Sequence, residues 1–488
     1  MIYYSTRNKN IYRTPSEAIV EGIAPDGGLY LPECFPEFPL DHLLTMTSSD
    51  VSIKVLSLLF DDFTEEELYT LVHKAYDNSF ENGNIAPLKK VGDTYVMELW
   101  HGPTCAFKDV ALQLLPYLLT SATQKCGVGD EICILTATSG DTGSAALAGF
   151  SDVKGTRIIV FYPDGGVSPM QKRQMVTCTG KNTTVCAIQG NFDDAQSGVK
   201  KIFAEEKAPD GMRFSSANSI NIGRLAPQIA YYFTAYRDLV CEERIKMGER
   251  VNFVVPTGNF GDILAGYFAK KMGLPVGQLV SASNENRVLA DFFESGIYDR
   301  RREFRLTSSP SMDILISSNL ERLISLVCGE EKTAALMKNL KEQGIYSVDS
   351  DELAEIKKDF SAAWVDEKET ANMIKKVFET TGYLMDPHTA VGMAAMEKWF
   401  AFDENNAKSP CIVLSTASPY KFSRHVLTAL GEEWSEDEFS DIKRLEALSG
   451  VAIPSQLALL EYSTVRHKDV VPANEMAQYV MNQTQEVL

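Results

Sequence analysis

The sequence predicts an α/β protein built on parallel sheets, and three observations lead there. Six short segments, EICILTAT (131–138), TRIIVFYP (156–163), TTVCAIQG (183–190), VNFVVPTG (251–258), QLVSASN (278–284) and PCIVLSTAS (410–418), are apolar or β-branched. Most are followed by a helical pattern, and strands that are apolar throughout and separated by helices belong in parallel sheets covered on both faces. Several of them end in polar, glycine-rich turns. Open parallel sheets bind ligands beyond the C-terminal ends of their strands, so those turns are where a site is expected.

Taken in order, residues 1–95 read as a mixed, mostly helical N-terminal region. A helical pattern over 15–22 leads into the turn-rich APDGGLYLPE (24–33). TEEELYTLVHKAYDN (64–78) places a capping residue before apolar positions at i, i+3, i+4 and i+7. Nothing in this region suggests chemistry; packing support, an interface or a lid is the expectation. Towards the other end, HTAVGMAAMEKW (388–399), preceded by Asp386 and Pro387, reads as a capped core helix. EEWSEDEFSDIKR (432–444) reads as a solvated helix and loop, the usual fate of a charge run.

Composition narrows the function classes. The chain has 488 residues, 44% hydrophobic and 23% charged, which is ordinary for folded protein of two to four domains. A formal charge of −19 argues against nucleic acid or an anionic membrane as a partner, so any anionic ligand must be held locally. Nine cysteines, an odd and scattered set with no CxxC pair and no ligand spacing with the six histidines, predict a reducing cytoplasm and no metal site. MIYYSTRNKN has no apolar core and no run approaches the ~18 apolar residues of a spanning helix. Neither a signal peptide, a membrane span nor an organelle import sequence is expected.

Chemistry enters at HGPTCAFKD (101–109), which closes an apolar run and opens a helix. A lysine in a first helical turn feels the positive end of the helix dipole, which lowers its pKa and favours the neutral, nucleophilic amine of Schiff-base chemistry. Alone, Lys108 is more simply a surface lysine. Four other stretches keep it company. TSGDTG (138–143) exposes backbone amides and hydroxyls at a helix start, suited to a carboxylate or phosphate, although a tight turn explains it as well. TGNFGD (257–262) follows a buried strand, precedes a helix and fits neither a nucleotide nor a dinucleotide motif, so a smaller phosphate is the natural ligand. STASPYKF (415–422) offers hydroxyls at the end of the last strand, where one could donate to a ring nitrogen. SSANSINIGR (215–224) gathers amides, a hydroxyl and Arg224 before a helix, either as a phosphate grip or as an N-cap with a surface arginine.

A lysine for a Schiff base, a glycine loop for one small phosphate and a hydroxyl for a ring nitrogen are together the three anchors of pyridoxal 5'-phosphate. In order, ELWHGPTCAFKD, TATSGDTGSAA, SANSINIGR, VPTGNFGDILAGYFAKKMG and STASPYKF resemble the threonine synthases of the pyridoxal-phosphate fold type II class. YYSTR and GIAPDGGLYLPE resemble the longer subgroup found in yeast and many bacteria. The resemblance implies two parallel-sheet domains of the tryptophan-synthase-β-like kind with an extra N-terminal region. On that basis 1–95 is the N-terminal region, 96–240 the lysine-bearing region with a small mobile α/β domain, and 241–488 a large α/β domain with the cofactor-phosphate loop and C-terminal helices.

The resemblance also implies roles. Lys108 is the lysine that joins the cofactor, Gly258, Asn259, Phe260 and Gly261 bind its phosphate, and Thr416 meets the pyridine nitrogen. Ser139, Asp141 and Thr142 receive the substrate carboxylate, while Asn218, Ser219, Asn221 and Arg224 grip the substrate phosphate. Asp262 stands where some relatives have Asn, its charge expected to point away from the phosphate. The implied reaction converts O-phospho-L-homoserine and water into L-threonine and phosphate in a site that closes against water, in a cytoplasmic monomer or homodimer. A phospho-lyase ending at 2-oxobutyrate, a serine or threonine deaminase, and a catalytically silent metabolite-binding homologue remain the alternatives.

Overall fold

Two sheets divide the chain in the computed structural model, which describes residues 1–80 and 83–485. The larger has six strands in the order Phe360–Trp364, Val276–Ser283, Val251–Pro256, Cys411–Ser415, Thr94–Glu98 and Leu88–Val91. Its first five strands are parallel and the last closes an antiparallel hairpin. Val254 sits between Val280 and Val413, and the two central strands are buried at every position, as double coverage by helices requires. The smaller sheet, wholly parallel, runs Asp469–Pro472, Thr183–Gln189, Thr156–Pro163, Glu131–Ala137 and Met212–Ser215. All six strands expected from the sequence are present.

Neither sheet follows the linear division of the chain. Thr94–Glu98, just before the lysine motif, pairs with Cys411–Ser415 in the larger sheet. Asp469–Pro472 returns from the far end to flank Thr183–Gln189 in the smaller one. The N-terminal region is also less helical than its sequence suggests. It holds a three-stranded antiparallel sheet, Asn8–Arg13, Tyr3–Ser5 and Tyr30–Pro32, beside the helices Pro15–Glu21, Ser48–Leu59 and Glu65–Tyr76. Asn8–Arg13 is an edge strand of polar, largely exposed residues, so no apolar run announces it. Both expected N-terminal helices start at capping boxes, on Thr14 and Thr64.

The acidic stretch departs from its solvated reading. Glu438 and Asp441 are buried, and Arg424 reaches both, with Nε 3.5 Å from Glu438 Oε2 and 3.2 Å from Asp441 Oδ2. Among the described residues, no helix is long and apolar enough to cross a membrane.

Two helices start at residues singled out for chemistry, Lys108–Lys125 and Asp141–Phe150. They pack so closely that a Cβ built on Gly149 would lie 1.9 Å from the carbonyl oxygen of Leu112. Backbone cannot yield as a side chain does, so glycine sets the helix spacing and with it the distance from Lys108 to Asp141. Gly149→Ala should lower stability by about 1–3 kcal/mol, the range of an overpacked core, as measured by denaturant melts. An unchanged midpoint would show that this contact does not set the spacing.

Candidate active site

The residues around Lys108 are stitched to the chain just beyond the strand Cys411–Ser415 of the larger sheet. Phe107 N donates to Thr416 O (2.8 Å), Ser418 N donates to Cys105 O (3.1 Å), and Ala106 bridges Ala417. Asp109 folds the preceding turn by accepting from the amide and hydroxyl of Thr104, at 2.8 and 2.7 Å. Burial pushes the Asp109 carboxyl up to about 6, against those hydrogen bonds. Lys108 thereby opens its helix at the C-terminal edge of the larger sheet, where an open α/β sheet presents its ligands.

The Lys108 side chain is almost wholly enclosed. Its Nζ lies 3.4 Å from Asp141 Oδ2 and 3.3 Å from Ser311 Oγ, and Ser311 Oγ is itself 3.2 Å from Asp141 Oδ2. A second lysine completes the cluster. Lys421 is fully buried, its Nζ 2.7 Å from Asp141 Oδ1 and 2.8 Å from the Thr104 carbonyl. Gln171 Nε2 donates to the same Oδ1 at 2.8 Å. Burial alone would raise the Asp141 carboxyl, but Lys421 and Lys108 override it and hold it well below the usual range. For Lys108 burial is the largest influence and lowers the pKa; Arg224 and Lys421 lower it further, and Asp141 opposes them. The dipole argument anticipated the direction, but desolvation is the main cause.

The glycine loop joins Val251–Pro256 to the helix Gly261–Lys271. Gly258 has no room for a side chain: a Cβ there would sit 2.6 Å from the Ser311 carbonyl oxygen. Phe260 takes a left-handed backbone, φ 64°, with its ring packed on Phe293 and Phe360. No side chain caps this helix, which leaves its first amides available to an anion. Asp262 turns away, as expected, accepting from the hydroxyls of Tyr231 and Tyr232, and burial raises it to about 6.

Arg224 is buried in the helix Ile222–Cys241, donates to the Ala217 carbonyl and has no carboxylate partner among the described residues. Burial lowers its pKa to about 10. A guanidinium carries five N–H donors, so Arg224 keeps donors beyond the one given to Ala217. The other expected residues divide. Ser139 and Thr142 stand half-buried at the start of Asp141–Phe150, where Thr138 Oγ1 accepts from the amides of Gly140 and Gly143, each at 2.9 Å. Asn218 is exposed and Ser219 half-buried in the segment leading to Arg224. Asn221 is committed to the fold, capping Gly223 N at 2.8 Å and donating to the Ile19 carbonyl at 2.9 Å. Asp141, an anion between two ammonium groups, leaves a carboxylate-receiving role to its neighbours' hydroxyls and amides.

The donor set fits pyridoxal phosphate. An enclosed lysine and a glycine loop at an uncapped helix start both meet Ser311, and Thr416 lies beside the lysine's own backbone. Comparison with known proteins agrees. A family model described as pyridoxal-phosphate dependent enzyme matches residues 84–416, and models for the threonine synthase N terminus and C-terminal region match 2–76 and 389–476. The threonine synthase of Saccharomyces cerevisiae is 39% identical over 463 residues, covering 88% of this chain and 89% of that protein. The chain belongs to the threonine synthase family.

Other members extend the likeness. The threonine synthase of Pseudomonas aeruginosa is 38% identical over 87% of this chain and 90% of its own length. Crystal structures of the threonine synthases from yeast and from Brucella melitensis, the latter with pyridoxal phosphate bound, superpose with TM-scores of 0.89 and 0.88. They share 34% and 36% identity, over 100% and 99% of this chain and 99% and 100% of theirs. The fold is therefore that of the type II class, with the extra N-terminal region.

Two site residues of this threonine synthase family member escaped the sequence reading. Lys421 lay inside a quoted motif, where only hydroxyls drew attention. Ser311 sits in TSSPSMDILISSNLERL (307–323), which has neither glycine nor strand pattern. It is braced from behind: Ser311 N donates to His388 Nε2 (3.1 Å), whose Nδ1 meets Asp386 Oδ2 at 2.6 Å. His388 thus serves the site through Ser311 while remaining a core residue.

The electrostatics set a pH dependence. An amine must be uncharged to join an aldehyde, and Arg224 is a cation that disfavours the ammonium form of Lys108. Arg224→Gln removes that repulsion and raises the lysine pKa, so the pH profile of cofactor uptake, followed by absorbance, should move to higher pH. A profile that stays put or moves to lower pH would contradict this electrostatic coupling.

Proposed function

We propose that this protein converts O-phospho-L-homoserine and water into L-threonine and phosphate, with the residues gathered around Lys108 as its active site. The observation that carries the reading is the presence of two anion positions near one buried lysine. One is the uncapped start of Gly261–Lys271 and the other is the unpaired Arg224. A cofactor phosphate and a substrate phosphate account for both; a deaminase acting on an unphosphorylated amino acid leaves the second unused.

Pyridoxal phosphate, when bound, supplies the electron sink that lets protons leave Cα and then Cβ of the substrate. Lys108 binds the cofactor and, once released, is the base whose Nζ takes these protons one at a time and gives protons back to Cα and Cγ of the product. Burial and the cations Arg224 and Lys421 favour the uncharged form of that amine, while Asp141 stabilises it whenever it carries a proton. Gly258, Asn259, Phe260 and Gly261 hold the cofactor phosphate through backbone amides, and Thr416 donates to the ring nitrogen. Ser139 and Thr142 orient the substrate carboxylate. Asn218, Ser219 and Arg224 hold the substrate phosphate and neutralise it as it leaves Cγ, with Asn221 acting through the turn it caps. Closure of the smaller sheet's domain over the larger admits water only for addition at Cβ.

The odd, scattered cysteines support a cytoplasmic setting, and the family likeness a monomer or homodimer. Product analysis with O-phospho-L-homoserine tests the reading. Wild-type protein should release threonine and phosphate in equal amounts, and Lys108→Ala should lose at least about a hundredfold in rate. Ammonia and 2-oxobutyrate as products would replace this reading with a phospho-lyase, and full activity in Lys108→Ala would end it.

A further inference from the structure

The glycine loop does not hold its own shape. Phe260 sits in the left-handed region, where a side chain is strained, and no side chain caps the helix that follows. Its carbonyl oxygens are anchored from elsewhere. Asn319 donates twice to the Asn259 carbonyl, from its backbone amide at 3.1 Å and its side-chain Nδ2 at 3.0 Å. Ser317 Oγ donates to the Gly258 carbonyl at 2.7 Å.

A trans peptide is planar, with its N–H directed opposite its C=O. Fixing the carbonyls of Gly258 and Asn259 therefore fixes the directions of the amides of Asn259 and Phe260, two of the donors a phosphate would use. The same Asn319 Nδ2 lies 3.2 Å from the Ser219 carbonyl, in the segment that leads to Arg224. Asn319 Oδ1 accepts from Arg322 Nη1. Arg322 is fully buried and lacks a carboxylate partner within ion-pair distance among the described residues; its Nε donates to the Tyr30 carbonyl (2.9 Å) and its Nη2 to the Ile220 carbonyl (2.6 Å). Its bonds go to two backbone carbonyls and the Asn319 amide, and none goes to a carboxylate.

We propose that Ser317 and Asn319 are positioning residues that aim the amides of the phosphate loop, with Arg322 holding the Asn319 amide in its donating orientation. The inference rests on the reading that this loop takes the cofactor phosphate. Asn319→Asp tests it, because the aspartate keeps the size of the side chain and its partner Arg322 but presents an acceptor to the carbonyls of Asn259 and Ser219.

The measurement is the ratio of affinities for pyridoxal 5'-phosphate and for pyridoxal, titrated by absorbance on cofactor-free protein, with the melting midpoint alongside. Wild type should favour the phosphorylated aldehyde strongly; a wild type with no such preference would sink the loop assignment itself. Asn319→Asp should reduce that preference at least about tenfold with a near-wild-type midpoint, a change of the size that lost charge-assisted or buried hydrogen bonds produce. Ser317→Ala, which removes one donor and leaves Arg322 untouched, should reduce it about threefold and decides the matter if the aspartate variant does not fold. A preference unchanged in the variants that fold, or equal weakening towards both aldehydes, would overturn the proposal.

Discussion

Everything at this site depends on one carboxylate buried between two ammonium groups. Asp141 touches Lys421 on one oxygen and Lys108 on the other, and all three side chains lie away from bulk water. Burying such charges is unfavourable unless each has a partner and spare hydrogen-bonding capacity is met. Lys421 satisfies that condition through Asp141 and the Thr104 carbonyl, at 2.7 and 2.8 Å. Lys108 satisfies it only in part, at 3.4 Å, with the fields of Arg224 and Lys421 against it. The asymmetry ties Lys421 firmly at both of its contacts and leaves Lys108 as the more loosely held amine.

Charge counting around this cluster explains how an acidic protein can hold phosphate. The chain carries a formal charge of −19, yet two lysines, Lys108 and Lys421, meet the one carboxylate of Asp141, and Arg224 lies close enough to act on Lys108. The other two acids close by, Asp109 and Asp262, are raised to about 6 by burial, and each is folded against hydroxyl donors. Inside a negatively charged chain, the Arg224 guanidinium and the uncapped start of Gly261–Lys271 are local groups suited to an anion. Substrate and cofactor are both phosphate esters, so local field, not net charge, decides what is bound.

How much of this was legible depended on whether the signal was local. The strands over 131–138, 251–258 and 410–418 were readable because a strand buried on both faces must be apolar throughout. Lys108, the glycine loop and Arg224 were readable because helix starts after strand ends have few chemical uses. Edge strands such as Asn8–Arg13 were not, since half-exposed pairing leaves no run to see. Asp141 drew a substrate role because its turn suits anions; only the fold shows that Lys421, 280 positions away in sequence, already occupies it. Ser311 and Lys421 belong to loops whose importance lies in what they touch, and long-range contact has no signature in a single sequence.

The central claim is that Lys108, and not the more deeply buried Lys421, carries the cofactor. Borohydride reduction of the cofactor-loaded protein followed by peptide mapping tests it directly, because reduction makes the link to the lysine permanent. A single label on Lys108 is the expected result. A label on Lys421, on any other lysine, or on none would contradict the account.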